Sequence, residues 1–455
     1  MTTGDVAQPA TRRFGWQTLA GSTSVILQDD DYRRLWLGKV ASQMALNAVL
    51  YTMLVLAIGE GGGASIKSAL FVTAYLLPTA TLGTISGVLV DRLPKNLLLC
   101  ALNIGRLGLM AILVMAQTDV WTIYGIALLL AITSQFSTPA EAAAVPQIVE
   151  PHQLIAANSA NSFGGLISQI AGFAIIAPLF LNTVGPRPLF AVAAVLFGVG
   201  AFFFLTIGRL GSHEVDIEST IDAVRDVRKH FAEGWETLGR SMSAYMSVIV
   251  SVLSGTASLV AVTMMPAFTQ DVLDIPVQNA IFVFLPAALG IVAGLRLVQV
   301  LDRRMAKGWL VGGGFALLCV GLSCLALTVP FANALRELNP FGLFDPGPLG
   351  TTAARLAVTI FCSTIATFSM SVAGVAGRSL INETMPSAVQ GRIFAAQNVL
   401  SNLASIPPTL FAGLLAELAG FAPVMIMTVV ILVFAAAWSM ANAAARQKSR
   451  EHAAA

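Results

Sequence analysis

The sequence predicts an all-α membrane protein of twelve transmembrane helices in two pseudo-symmetric six-helix bundles, and three observations carry that reading. A dozen apolar stretches follow one another from Trp36 to Ala444 with short polar breaks, each about the length that crosses a hydrocarbon core of roughly 30 Å. Charged residues make up 11% of the chain and apolar ones 56%, whereas an ordinary soluble domain carries about 25% charge, so no large soluble domain fits. Features of the first half also recur in the second. The bilayer interior offers backbone amides no water, so each stretch satisfies them internally as a helix.

The elements follow in order. Residues 1–35 form a polar segment with Arg12, Arg13 and the acidic run Asp29, Asp30, Asp31, and without the apolar core and cleavage site of a signal peptide. Spans at 36–59, 67–90, 97–117, 120–140, 154–181 and 187–208 make a first bundle, residues 36–208. A linker, 209–243, places Ile217, Ile221, Val224, Val227, Phe231, Trp235 and Leu238 three or four residues apart, the stripe of an amphipathic helix lying along the bundle or membrane. Spans at 244–269, 278–300, 308–330, 353–376, 391–417 and 421–444 make the second bundle, residues 244–445, with a long outer loop from Phe331 to Gly350. Residues 446–455 are a tail. Pro78, Pro178, Pro266, Pro286, Pro407 and Pro408 fall inside these spans and should bend or break them.

An even number of crossings puts both termini on one side. With that side cytoplasmic, 20 of the 26 basic residues face inward, and this asymmetry orients the chain with both ends inside. The net charge of +2 gives no reason to expect a nucleic-acid partner. Cys100, Cys319, Cys324 and Cys362 lie in apolar stretches without metal-ligand spacing, as packing residues do, and no cofactor is implied.

The halves echo one another. Gly83, Gly87, Asp91 and Arg92 follow the second span, and Gly290, Gly294, Asp302, Arg303 and Arg304 follow the eighth; Pro151 and Pro386 precede the fifth and eleventh. A duplicated six-helix unit accounts for this, and parallel repeats of that kind build a known transporter architecture.

The run from Gly87 to Lys95, with Asp91, Arg92 and the closing Lys95, resembles the loop signature of the major facilitator superfamily, except that Pro94 stands where glycine is usual. Pro139-Ala140-Glu141, Val145-Pro146, Ala157-Asn158 and Gly391-Arg392-Ile393-Phe394 narrow the resemblance to the branch of bacterial enterobactin exporters and macrolide efflux proteins. The resemblance implies alternating access in a bacterial inner membrane. It further implies export of an amphipathic drug-like compound or siderophore, with proton antiport as the coupling. It also assigns Gly83, Gly87, Asp91, Arg92, Lys95, Asp302 and Arg303 to a cytoplasmic gate. Charge-assisted bonds from such a loop to helix ends break when the halves part, and a glycine pair permits the close approach of a sliding seam.

Polar side chains inside a membrane helix face a partner or a wet cavity. Gln43 and Asn47 stand one turn apart on the first span with Lys39 a turn before them. Asn158, Asn161, Ser162 and Gln169 share a face of the fifth, and Gln397, Asn398, Ser401, Asn402 and Ser405 share one side of the eleventh. These are candidate substrate ligands, the alternative being interhelical hydrogen bonds without a ligand. Arg106 sits about 15 Å into the third span, where it needs a counter-charge, carbonyls or an anionic substrate. Glu60, Glu141 and Glu417 read as helix-end residues, which leaves no acid at the centre of a span for proton exchange.

Neither a phosphate-binding G-x-x-x-x-G-K-[ST] loop nor an H-E-x-x-H or G-x-S-x-G motif occurs, so an ATPase or a membrane enzyme is disfavoured. The expectation is a secondary transporter whose partners are a small molecule, the lipid bilayer and protons. Import by the same fold and a non-transporting sensor or scaffold are the alternatives.

Overall fold

Asp29 caps the first helix, which starts at Asp30, six residues ahead of the apolar run. Its carboxylate accepts a hydrogen bond from the Tyr32 amide at 2.8 Å, and Asp30 and Asp31 fill the first turn, where negative charge complements the exposed amides and the helix dipole. The computed structural model describes residues 26–59, 63–115, 119–208, 210, 241–301, 305–338, 347–385 and 387–454, and every regular element among them is helical. Residues 1–25, nearly all of the 209–243 linker with its apolar stripe, Asp302, Arg303 and Pro386 lie outside the described residues.

The long helices are α1 (Asp30–Ile58), α2 (Ala64–Arg92), α3 (Lys95–Met115), α4 (Val120–Ile148), α5 (Leu154–Gln169), α6 (Pro186–Thr206), α7 (Met242–Ala267), α8 (Ala288–Leu301), α9 (Lys307–Ala326), α10 (Pro348–Thr384), α11 (Ser387–Ala419) and α12 (Phe421–Ala454). Among the described residues, eleven helices are long and apolar enough to cross a membrane, and Leu285–Val298 is a shorter apolar one. A helix of 29 residues such as α1 or α4 is about 43 Å long, more than a hydrocarbon core requires.

Two expectations on the elements need correction and one break is met. The eighth span is interrupted at Pro286, as expected: it runs as Ala280–Phe284, a 3-10 turn at Leu285–Ala287, and then α8. Pro286 has no amide to continue the ladder and clashes with the preceding turn. The outer loop is partly ordered, because Thr328–Leu338 forms a short helix packed on α10, and Pro330 is tolerated in its first turn, where amides have no helical partner. The fourth span does not stop at Ala140. It continues to Ile148 through Pro139 and Pro146, which carries Glu141 inside the helix rather than to its end.

Prolines elsewhere act locally. Pro178 follows a π-helical segment, Ile170–Ile176, that continues α5 into Ala177–Thr183, and Pro266 precedes another at Phe268–Val272 after α7. Widening the ladder accommodates a missing amide. Pro78, Pro407 and Pro408 sit within continuous α-helix.

Helix pairing repeats. In the first set α1 packs on α4, α5 and α6, α3 on α4 and α6, and α2 on α4; in the second, α7 packs on α10, α11 and α12, α9 on α10 and α12, and α8 on α10. The sets meet where α2 lies against α7 and α11. Apolar side chains such as Val195, Phe202 and Phe434 remain exposed on the outside, as a lipid-facing surface requires. Inside the first set, one apolar cluster contains Val49, Met53, Leu113, Phe190 and Phe197, and another contains Tyr32, Leu35, Leu99 and Phe204. On α1, Lys39 and Gln43 lie between the two clusters in sequence, so the polar groups form a layer held between apolar ones.

Candidate substrate cavity and gates

Within that layer lies a cavity of about 340 Å³ lined by Gln43, Leu46 and Asn47 of α1, Tyr75 of α2, Arg106 of α3, Ser134, Ser137, Thr138 and Glu141 of α4, and Gly165 and Gln169 of α5. Turn spacing explains the lining: positions 43 and 47, 134, 138 and 141, and 165 and 169 each repeat at three or four residues, one face of each helix. Backbone seams hold these faces in place. Gly164, Ser168 and Gly172 form a small-residue stripe on which α1 lies; a Cβ on Gly164 would stand 2.8 Å from Trp36 Nε1, and one on Gly172 2.6 Å from the Met44 carbonyl. Ser168 donates to the Val40 carbonyl at 3.0 Å, Trp36 Nε1 to Ala160 at 2.8 Å and Tyr32 to Ala157 at 2.7 Å. Small residues permit such contact between helix backbones.

Arg106 is 3% exposed. Its Nε donates to Thr133 Oγ1 at 2.9 Å, and one terminal nitrogen, Nη2, donates to Ser134 at 3.2 Å and Ser137 at 2.5 Å. The guanidinium carbon lies 5.8 Å from the Phe197 ring centroid, a favourable cation–π distance. Among the described residues no acceptor binds the other terminal nitrogen, Nη1. Lys39 reaches Glu141 instead, Nζ to Oε2 at 3.4 Å, with the two side chains 17% and 9% exposed. Arg106 is thus held by neutral hydroxyls, and Glu141 pairs with the lysine.

Of the residues proposed from sequence, Gln43, Asn47, Arg106 and Gln169 come together here. Among the described residues, the amides of Gln43, Asn47 and Gln169 have no hydrogen-bond partner in the protein. Asn158 is exposed further along the α5 stripe, and Asn161 has a buried, unpartnered Oδ1. The α11 residues do not join this cavity. Gln397 donates to Ser251 of α7 at 2.7 Å and Ser405 bonds Thr256 of α7 at 2.9 Å, which makes that stretch an interhelical seam; Asn398 is exposed and Asn402 half-buried. Glu141, Tyr75 and the α4 hydroxyls escaped the sequence reading. The signal for Glu141 was the same turn spacing, from Ser134 and Ser137 onward through the proline.

At the end of the molecule where α2 stops, Lys95 is 2% exposed and its ammonium donates to the Asp91 carbonyl at 2.7 Å, capping the helix. The Asp91 side chain is exposed and Arg92 half-buried. The close seam expected at Gly83 and Gly87 is absent in this conformation. A Cβ on Gly83 would meet only Gln135 at 3.7 Å, and one on Gly87 nothing within 4 Å. Their repeats are tightly packed instead: a Cβ on Gly294 would lie 2.7 Å from the Phe368 carbonyl of α10, and one on Gly290 would overlap Thr364.

The opposite end is closed between the two sets. Tyr51 of α1 donates to the Val277 carbonyl at 3.0 Å and accepts from the Ile281 amide at 3.3 Å; Asn182 donates to Asn279 at 3.0 Å; Gln278 donates to Asn182 at 3.3 Å. Glu417 of α11 accepts from the Ser65 and Ile66 amides at 2.9 and 3.4 Å, capping the start of α2 across the interface. A Cβ on Gly413 would overlap Ala69, so α11 and α2 touch along this stretch.

The arrangement matches known folds. The structure is similar to the nucleoside transporter NupG (TM-score 0.65, 13% identity, 90% of this chain and 99% of that one) and to the peptide transporter POT in complex with sulfate (0.64, 14%, 90% and 95%). It is also similar to a bacterial homolog of the human lysosomal transporter Spinster in an inward-facing, unoccupied conformation (0.61, 14%, 93% and 97%). In sequence the chain is 24% identical over 370 residues to uncharacterized MFS-type transporters of Mycobacterium tuberculosis and Mycobacterium bovis, across 77% of this chain and 76% of theirs. Residues 35–407, the first helix set and the second as far as the middle of α11, match the Major Facilitator Superfamily, so the twelve-helix chain with its polar cavity belongs to this family of membrane transporters, which are not enzymes.

Proposed function

We propose that the chain moves a small polar molecule by alternating access, with the cavity among α1 to α5 as one wall of its binding site. The observation that carries the reading is the pairing of a cavity lined by unpartnered amides with an interface hydrogen-bonded at one end. A polar group on a membrane helix needs a partner, and these amides, open to the cavity rather than buried, take theirs from water or a ligand. The bundles at 36–208 and 244–445 are the moving bodies. The basic end faces the cytoplasm on both termini, and this conformation opens inward. Asp91, Arg92 and Lys95, with Asp302 and Arg303 in the repeat, close that end when the halves rock back.

The polar lining favours a hydrogen-bonding solute over the amphipathic compound that the branch resemblance implies; export rests on that resemblance. Glu141 is the residue through which protons could couple to movement, since it lies inside a helix beside Lys39. Purified protein in liposomes should concentrate a labelled polar solute when a pH gradient is imposed, with Glu141→Gln abolishing the uphill component. Equal flux with and without the gradient contradicts the coupling, and no flux of any solute contradicts transport.

A further inference from the structure

The charges around the cavity do not balance. Lys39 and Arg106 are cationic and, among the described residues, Glu141 is the one acid lining the space; its carboxylate pairs with Lys39 and also attracts Arg106 from a distance, so one positive charge is in excess. Arg106 meets hydroxyl groups that carry no charge, and among the described residues its Nη1 has no protein acceptor although the guanidinium lines the cavity. An arginine deep in a membrane costs roughly 3 kcal/mol on insertion scales, and such a residue marks a substrate path unless something neutralises it. Around it stand three amides with free donors and acceptors, from Gln43, Asn47 and Gln169.

We infer that the cavity takes a small organic anion, whose carboxylate or phosphate docks on Arg106 Nη1 while the three amides and Thr138 bind its neutral polar groups. This rests on the transport reading above, and it names the substrate class. Nη1, the nitrogen that the hydroxyls leave, has two N–H groups to donate to anionic oxygens, which suits a carboxylate or a phosphate alike. A volume of about 340 Å³ falls at the small end of ligand pockets. The charged and titratable groups facing Glu141 are Lys39 from α1, Tyr75 from α2 and Arg106 from α3; α5 contributes Gln169, which does not titrate. Glu141 and the anion compete for the same cations. Protonating Glu141 therefore strengthens the hold on the anion, so proton and anion load together, the opposite of the exchange implied by the branch resemblance.

The test uses the full chain in detergent with matched acid and neutral probes: nicotinate against nicotinamide, glutamate against glutamine, and glucose 6-phosphate against glucose. At least one acid member should bind and raise the thermal midpoint while its neutral partner does not. Arg106→Gln should weaken that acid about tenfold or more, the scale of a charge-assisted hydrogen bond, while Arg106→Lys retains part of the preference. Glu141→Gln should tighten the acid and flatten the rise in affinity on acidification. Equal binding within every pair, binding of the neutral members alone, no acid binding, or weaker acid binding in Glu141→Gln overturns the inference. Liposome flux separates it from the transport reading: acids that bind but do not cross leave the ligand class standing and sink transport, whereas neutral members that cross while acids do not sink the ligand class alone.

Discussion

At the scale of single residues, the cavity depends on how two cations and one acid are stabilised away from water. Removing one partner of a buried ion pair leaves the other uncompensated and costs about 3–5 kcal/mol. Glu141→Ala should therefore lower unfolding stability in detergent by that order, Lys39→Met by a similar amount, and the double variant Lys39→Met, Glu141→Gln by less than either; additive losses would show that the pair is not coupled. Much of this constellation could be read from the sequence. Gln43, Asn47, Arg106 and Gln169 stand out because polar groups at turn spacing are rare within apolar spans. Glu141 could not, because two prolines and a run of alanines imitate the end of a helix. The hydroxyls of Thr133, Ser134 and Ser137 were also hidden, since such groups satisfy themselves on the preceding turn, and all three do so here with the carbonyls of Leu130 and Thr133. Their second role, as acceptors for Arg106, depends on which helix lies opposite.

At the scale of helices, small residues decide which contacts are fixed and which can move. Gly172 has the Met44 carbonyl where its Cβ would be, whereas Gly87 faces open space. Gly172→Ala should cost about 1–3 kcal/mol through overpacking, while Gly87→Ala should leave thermal stability within about 0.5 kcal/mol and slow turnover if α2 must close against a neighbour. Thermal unfolding and liposome flux on the two variants check this, and equal losses of stability would contradict it. The contrast was invisible in sequence, where Gly83 and Gly87 look like their repeats Gly290 and Gly294. Helix existence, by contrast, was legible throughout, because about twenty apolar residues in lipid have few other conformations. What sequence did not tell apart was which prolines interrupt a helix: Pro286 broke one, as expected, whereas Pro78, Pro407 and Pro408 did not, and the outcome depends on whether neighbouring helices hold the strained turn in place.

At the scale of the whole molecule, the two helix sets are tied at one end, and the tie includes a carboxylate of α11 capping α2. Loss of an N-cap costs about 1 kcal/mol, so Glu417→Ala should shift the balance toward opening of that end by roughly fivefold. Distances by electron resonance between spin labels at Val184 and Leu418, both exposed, should then show a larger separated population; an unchanged distribution means the cap does not hold the closure. The duplicated architecture was readable from Gly, Asp and Pro recurrences, while the conformation was not, since one sequence must serve every state of the cycle.

The central claim is that the polar cavity opens to one side of the membrane at a time. In a variant with Cys100, Cys319, Cys324 and Cys362 replaced, the thiol of Asn47→Cys should react with a membrane-impermeant reagent only from the basic-end side in the unliganded protein. With Glu417→Ala added, reaction should also appear from the opposite side, at the expense of the first. A thiol that stays sealed from both sides, or that reacts equally from both throughout, would contradict the account.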